Sequence, residues 1–179
     1  LAKETGTDHK LAHDLWASGL HEARILAGMI DDPALVTSAQ MERWVKAFDS
    51  WDVCDQVCMN LFDKTRLAHS KAPVWSKREA EFVKRAGFAL MACLAWHDKA
   101  AGDAAFLKFL PAIRRGATDE RNFVKKAVNW ALRQIGKRNA ALRKRAIAVA
   151  EEVRRLDSRA ARWVAADALR ELRGRGSSK

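Results

Sequence analysis

The sequence predicts an all-α protein, and three observations support this fold class. No segment of the 179 residues shows the alternation of apolar and polar residues, bounded by turn residues, that marks a β-strand. Only three prolines interrupt the chain. Hydrophobic residues make up 49% of the sequence, which is enough for a substantial core in one domain. We therefore expect a single helical domain over residues 1–172.

Stop and cap residues divide this domain into successive helices. The stretch DDP at 31–33 ends one helix, Gly102 with Asp103 separates two others, and GATDE at 116–120 supplies a further stop and start. The basic tail RGRGSSK, residues 173–179, is predicted to be disordered. The predicted helices cover residues 9–18, 20–31, 37–48, 51–67, 76–97, 103–115, 119–136, 139–156 and 158–172.

A short word recurs along these helices. Residues 44–47 read WVKA, residues 82–86 read FVKRA and residues 123–127 read FVKKA, at spacings of 38 and 41 residues, and a weaker copy starts at Val164. A period near 40 with about two helices per unit is typical of HEAT or armadillo solenoids, whose units stack and leave a long concave surface. Chance agreement of short apolar and basic words is the alternative. The sequence therefore predicts a HEAT-like α-α superhelix.

The net charge of +11 is confined to the C-terminal part of the chain. Residues 1–110 hold 14 basic and 15 acidic residues, whereas residues 111–179 hold 19 and 7, a net charge of +12. Such asymmetry favours a polyanionic partner, and nucleic acid rather than membrane because no amphipathic anchor or acylation site is evident. We expect a concave basic groove in a cytoplasmic, nucleoid-associated protein, since no leader or membrane span is evident. A merely soluble basic surface is the alternative.

Cysteine and histidine usage gives little sign of a cofactor. Cys54, Cys58 and Cys93 lie within apolar helical patterns and are predicted to be buried, reduced thiols. His9 and His13 are four residues apart but lack the glutamate of HExxH and any obvious third ligand, so no metal site is predicted. A Gly-rich phosphate loop and a GxSxG elbow are both missing, which disfavours an NTPase or a serine hydrolase.

The stretch FDSWDVCDQVCMNLF, residues 48–62, places a carboxylate on the flank of an apolar helix. At a helical turn of about 100° per residue, Asp55 lies about 100° from the centre of the core stripe and on the same side as Trp51. Asp52 points further toward water and occupies the first turn, where a carboxylate favours the helix dipole. Two interpretations of Asp55 stay open: a structural acid paired with a nearby Lys or Arg, or a functional carboxylate.

Two further side chains are predicted to face outward. In the helix over 119–136, Trp130 lies about 120° from the core stripe, among the cations Lys126 and Arg133. An exposed indole on a basic surface is suited to stacking against a sugar or base, although packing against a neighbouring helix is the alternative. In the helix over 76–97, Arg85 lies opposite the apolar stripe, where it is available to a phosphate or simply solvated.

Three words, SWDVCDQVC, FVKRA and FVKKAVNWALRQIGKRN, in this order and separation, resemble the AlkD-like DNA alkylation repair proteins, which are HEAT-repeat DNA glycosylases. The resemblance covers about residues 15–171. Trp51 and Asp55 match its WDxxD pattern, Arg85 its basic pair after an aromatic residue, and Trp130 its KAxxWxLR pattern. It implies that the tryptophans and the aspartate surround the damaged nucleotide and that the arginine contacts the DNA backbone.

The resemblance also implies a reaction. The enzyme would be a monofunctional DNA glycosylase that excises N3- or N7-alkylated purines, such as 3-methyladenine and 7-methylguanine, from duplex DNA. Such bases are already positively charged, so they leave without a general acid, and the oxocarbenium-like sugar would be stabilised by Asp55. No metal or organic cofactor is required. The alternatives are a non-catalytic HEAT-like module for distorted or branched DNA and a scaffold for an acidic protein.

The cations expected to hold DNA phosphates lie mostly in the C-terminal half. They are Lys84, Arg85, Lys125, Lys126, Arg133, Lys137, Arg138, Arg143, Lys144 and Arg145. Phosphate contacts of this kind make affinity depend steeply on salt. The expected partner is double-stranded DNA with alkylated purines, bound by a monomer.

Overall fold

The computed structural model describes residues 1–174, which contain twelve α-helices, one 3₁₀ turn and no strand. The all-α prediction is confirmed for this part of the chain. Of the tail predicted to be disordered, Arg173 and Gly174 continue the last helix, and residues 175–179 lie outside the described residues. The helices are α1 Ala2–Thr5, α2 His9–Ala17, α3 His21–Ile30, α4 Ser38–Lys46, α5 Trp51–Asn60, α6 Ala68–Trp75, α7 Glu81–His97, α8 Asp103–Leu107, α9 Leu110–Gly116, α10 Asn122–Lys137, α11 Ala140–Arg154 and α12 Arg159–Gly174.

Two predicted helices are divided in the structure. The segment predicted over 51–67 ends at Asn60, and a 3₁₀ turn over Phe62–Lys64 leads into α6. Proline disfavours a helix interior, yet α6 contains Pro73 because burial of its neighbours, Trp75 among them, outweighs that cost. The segment predicted over 103–115 is split into α8 and α9, and Pro111 lies in the first turn of α9, where its missing N–H is not needed.

The helices stack in two layers. Helices α3, α5, α7, α10 and α12 form the first layer, in which each contacts the next. Helices α2, α6, α9 and α11 pack on α3, α7, α10 and α12 respectively. Helix α4 joins this second layer through the stacked rings of Trp16 and Trp44, whose centroids are 4.0 Å apart. This pairwise stacking is the arrangement that a helical-repeat superhelix requires.

The repeated word has a structural meaning only for its later copies. FVKRA opens α7, FVKKA opens α10 and the copy at Val164 lies on α12, which are successive helices of the first layer. WVKA, by contrast, lies on α4 of the second layer and is not an equivalent copy. Its agreement with the others is the chance match that short amphipathic words permit. Helix α5, which carries Trp51 and Asp55, is the neighbour of α7 in the first layer.

The cysteines pack in the contact between α5 and α7. All three are free and buried, as predicted. The Sγ atoms of Cys54 and Cys58 lie 3.7 and 3.8 Å from the carbonyl oxygens of Phe82 and Ala86. Burial raises the pKa of Cys58 and Cys93 well above the usual range, so these thiols are protonated and unreactive. They act as small core residues.

No helix among residues 1–174 is both long and apolar enough to cross a membrane.

At Gly87, α7 packs closely against the end of α6. A Cβ atom there would lie 2.3 Å from the backbone nitrogen of Ser76 and 2.8 Å from the carbonyl oxygen of Ala72. Because both are backbone atoms, Gly87→Ala must force the helices apart, and we expect it to lower the free energy of unfolding by about 2 kcal/mol or more. Urea denaturation measures the change. The control is Gly102→Ala, whose Cβ would meet no heavy atom of residues 1–174 within 4 Å; equal losses in both variants would contradict the close packing.

Candidate active site and nucleic-acid interface

Helix α5 presents an exposed indole and a largely buried carboxylate one turn apart. Trp51 is its first residue and is 52% exposed, whereas the side chain of Asp55 is 15% exposed. Residues four apart share one side of a helix, so the indole and the carboxylate are neighbours. Asp52 lies apart from them, paired with the ring of His21 and accepting the N–H of Val53. Burial opposes ionisation of Asp52, but the side chain of Ser50, the ring of His21 and the N–H of Val53 together lower its pKa, in keeping with its predicted place in the first turn.

Asp55 is held by a two-pronged ion pair. The Nε and Nη2 atoms of Arg85 donate to the two carboxylate oxygens at 2.9 and 2.7 Å. The third nitrogen, Nη1, donates to the carbonyl oxygen of Phe123 at 2.5 Å. One guanidinium therefore connects α5, α7 and α10, three consecutive helices of the first layer. Arg85 is only 6% exposed, so this connection lies inside the protein.

The ion pair fixes the charge state of Asp55. Burial raises the pKa of the Asp55 carboxyl, and the hydrogen bonds and charge of Arg85 oppose that rise. A guanidinium presents only donors, and two of them point at the two carboxylate oxygens, which is the geometry of an ionised acid. Asp55 is therefore a carboxylate at neutral pH. Asp55 thus forms the structural ion pair that was one of its two predicted interpretations. Its side chain nevertheless keeps some access to the surface.

Arg85 does not have the predicted orientation. The sequence placed it opposite the apolar stripe of its helix and free for phosphate, which is wrong, because α5 and α10 cover α7 on both sides. The helical wheel of a single helix gives no information about such neighbours. Its DNA-backbone contact stays an untested prediction, and in the structure all three guanidinium nitrogens have acceptors within the protein.

Trp130 lies on α10 two turns beyond Phe123. It is partly buried and packs against the core, so the predicted alternative of packing against other helices applies to it, although its burial is incomplete. The rings of Phe123 and Phe82 lie 5.5 Å apart and join α10 to α7 beside the ion pair. Helical spacing places Trp130 on the same side of α10 as Phe123. Sequence reasoning gave these two phenylalanines no role, although the repeated first letter of FVK was the available signal.

Several predicted phosphate ligands are engaged within the protein. Arg138 donates to the carbonyl oxygens of Ala95, Asp98 and Ala101, so it is a structural clamp. Other cations pair with acids or rings: Lys84 with Asp119, Arg133 with Asp167 and Glu171, Lys137 with Glu171, and Lys125 with the ring of Trp163. Arg143 is partly buried. Lys126, Lys144 and Arg145 are exposed and therefore accessible to phosphate.

Comparison with known proteins identifies the family. The model of the DNA alkylation repair enzyme family matches residues 1–172. The chain belongs to this family. Its fold is similar to that of a solved structure described as "A new family of proteins related to the HEAT-like repeat DNA glycosylases with affinity for branched DNA structures", with a TM-score of 0.78 and 21% identity over 98% of this chain and 77% of that one. The HEAT-like fold class is thereby confirmed. A search of curated proteins found no match.

For this DNA alkylation repair protein, the ion pair predicts a specific stability pattern. Arg85→Ala leaves a buried carboxylate without its partner, and we expect it to cost about 3–5 kcal/mol of unfolding free energy. The double variant Arg85→Ala with Asp55→Ala should cost less than the sum of the two single variants, because no uncompensated charge remains. Urea denaturation at pH 7 measures both.

The control for this series is Arg159→Ala. Arg159 is 90% exposed and its nearest carboxylate oxygen, on Glu120, is 3.9 Å away, so its removal should change stability little. If Arg85→Ala is no more harmful than Arg159→Ala, or if the double variant is strictly additive, the ion pair does not form in solution.

Proposed function

We propose that this protein is a monofunctional DNA glycosylase that releases positively charged N3- and N7-alkylated purines, such as 3-methyladenine and 7-methylguanine, from duplex DNA. One observation carries the proposal: an ionised carboxylate, Asp55, is fixed by Arg85 one turn from the exposed indole of Trp51. Membership of the DNA alkylation repair enzyme family supports it. Duplex DNA bound by a monomer is the proposed complex, and its cytoplasmic, nucleoid-associated location stays a prediction.

The reaction requires little from the protein. The bond between C1′ and the base nitrogen breaks with both electrons leaving on the purine, which loses its positive charge and needs no protonation. The positive charge passes to the sugar as an oxocarbenium-like ion. Water then adds to C1′ and releases a proton to solvent. Asp55 stabilises the charged sugar and orients this water, and neither role needs a metal ion or an organic cofactor.

The ion pair moderates the field that Asp55 supplies. A carboxylate about 4 Å from a unit positive charge gains about 4 kcal/mol at an effective dielectric near 20. The guanidinium of Arg85, about 4 Å beyond the carboxylate, repels the same charge by about 2 kcal/mol. The net gain of about 2 kcal/mol corresponds to a rate factor of about 30. Arg85 thus keeps Asp55 ionised and in place, and reduces its effect on the sugar.

The two tryptophans would flank the nucleotide. Cation–π contact between an indole and a cationic sugar or base contributes about 0.5–2 kcal/mol. Trp51 is half exposed and does not belong to the hydrophobic core, so its replacement should affect this contact more than the stability of the protein. Trp130 is partly committed to the core, so its replacement changes stability as well as activity. Kinetics of Trp51 variants are therefore the cleaner test of aromatic contact.

The assignment of Asp55 predicts a pattern across three variants. In Asp55→Asn the sugar cation loses the attraction and still feels Arg85, so base release should fall by about 10²–10³. In Asp55→Asn with Arg85→Met the repulsion is also gone, and the rate should recover about tenfold or more relative to Asp55→Asn. Asp52→Asn, on the same helix, should stay near the wild-type rate. The measurement is single-turnover release of 7-methylguanine from methylated duplex DNA.

A second candidate function is non-catalytic recognition of branched DNA. It is favoured by the ion pair itself, which would serve as a purely structural link, and by the affinity for branched DNA of the family described for the similar structure. Wild-type protein that binds a four-way junction more tightly than duplex DNA, and frees no base from either, would establish this candidate and exclude the glycosylase.

The exposed cations predict the salt dependence of binding. The slope of log K against log salt changes by about 0.9 for each phosphate contact, so Lys144→Ala with Arg145→Ala should make it shallower by about 1 to 2. Fluorescence anisotropy with a labelled duplex measures the slope. Lys10→Ala removes an exposed lysine from residues 1–110, which carry no net positive charge; it is the control and should leave the slope unchanged. Absence of DNA binding at low salt would instead favour a scaffold for an acidic protein.

A further inference from the structure

Three metal-binding side chains meet at the start of α2. His9 and His13 lie one turn apart on this helix, and their ring centroids are 4.6 Å apart. Asp31, which directly follows α3, places Oδ1 2.5 Å from Nδ1 of His9. The ligand atoms of the three residues all lie within 4.8 Å of one another. The fold thus supplies the third ligand that the spacing of the histidines alone did not reveal.

Asp31 is a buried acid that needs a positive partner. Its side chain is fully inaccessible, and it accepts hydrogen bonds from the side chain of Gln40 at 2.6 Å and from the N–H of Asp32 at 2.7 Å. Within residues 1–174, no lysine or arginine lies within ion-pair distance of it, and the side chain of His9 takes that place. Buried charges are usually paired or coordinate a metal ion. Gln40 and the N–H of Asp32 hold the carboxylate in the orientation that a ligand requires.

The other histidine–aspartate pairs of the protein lack this arrangement. His21 pairs with Asp52, His69 with Asp98 and His97 with Asp63. In the part of the chain that the structure describes, only the group at α2 brings a third metal-binding side chain to such a pair. The extra residue, His13, is positioned by its contact with the ring of Trp44, 5.8 Å between centroids. A simple histidine–aspartate bond therefore does not account for this cluster.

We propose that His9, His13 and Asp31 bind a Zn²⁺ ion. Two imidazole nitrogens and one carboxylate oxygen form a ligand set that suits zinc, whereas calcium and magnesium prefer oxygen alone. Ligand atoms about 2.0–2.2 Å from a tetrahedral ion are about 3.3 Å from one another. Zinc binding would therefore lengthen the 2.5 Å distance between His9 Nδ1 and Asp31 Oδ1, and it would shorten the distances between ligand atoms that are now up to 4.8 Å apart. The side chain of His9 is 31% exposed, which gives the ion a path to the site and leaves the fourth position to water.

The ion would fasten the first repeat of the solenoid. It connects the first two turns of α2 to the residue that ends α3, and Asp31 is itself anchored to α4 through Gln40. Terminal repeats have a neighbour on one side only, so an added link contributes most there. The proposal does not depend on glycosylase activity.

The test uses the full chain, stripped with a chelator and titrated with zinc chloride. Calorimetry at pH 7.5 should show one equivalent of Zn²⁺. Zinc at about a hundred times its Kd should raise Tm by about 5 to 10 °C.

Two variants distinguish specific zinc binding at these three residues from nonspecific metal binding elsewhere on the protein. His13→Gln removes one ligand and leaves the bond between His9 and Asp31, so the metal-free protein should keep its Tm while zinc affinity falls at least tenfold. His69→Gln disrupts a pair that has no third ligand and should bind zinc like the wild type. The proposal is overturned if the wild type binds no zinc at pH 7.5, if His13→Gln binds it as tightly, or if His69→Gln weakens it equally.

Discussion

The candidate site depends on one guanidinium. Arg85 neutralises the buried carboxylate of Asp55 and also satisfies the carbonyl oxygen of Phe123, so α5, α7 and α10 are joined at a single side chain. Buried ion pairs seldom stabilise a protein more than apolar residues of the same volume would. Stability alone therefore gives little reason to place charges here. An ionised carboxylate beside an exposed indole is explained if the adjacent surface must bind a positively charged group.

The stacking of the helices determines which side chains around the candidate site are buried and which remain exposed. The valines and alanines of FVKRA and FVKKA, such as Val83 and Val124, are buried, and the phenylalanines pair across the two helices. The same register that buries the apolar positions sets Arg85 facing α5 on one side and α10 on the other. Basic side chains further along the chain split into two groups: some, such as Arg138, fasten helices together, and others, such as Lys144, remain on the surface.

The features that could be predicted from the sequence are those that depend on neighbouring residues in the chain. The all-α class, most helix ends and the buried cysteines follow from cap residues and apolar periodicity. Helix α6 was missed, because Pro73 is typical of a break and its tolerance depends on tertiary burial. The partner of Asp55 was expected only as some nearby cation, since Arg85 is thirty residues away. The apolar run over residues 86–96 indicates that α7 is buried on several sides, but it does not identify the helices that cover it. The third ligand at Asp31 was invisible for the same reason.

In the proposed reaction, Asp55 favours a positive charge at the sugar. Equilibrium binding of duplex DNA with a cationic pyrrolidine sugar mimic, compared with the same duplex carrying a neutral tetrahydrofuran mimic, measures this preference without any base release. We expect the wild type to bind the cationic duplex at least about tenfold more tightly, and Asp55→Asn to lose this preference while it still binds the neutral duplex. Equal affinity of the wild type for both duplexes would contradict it.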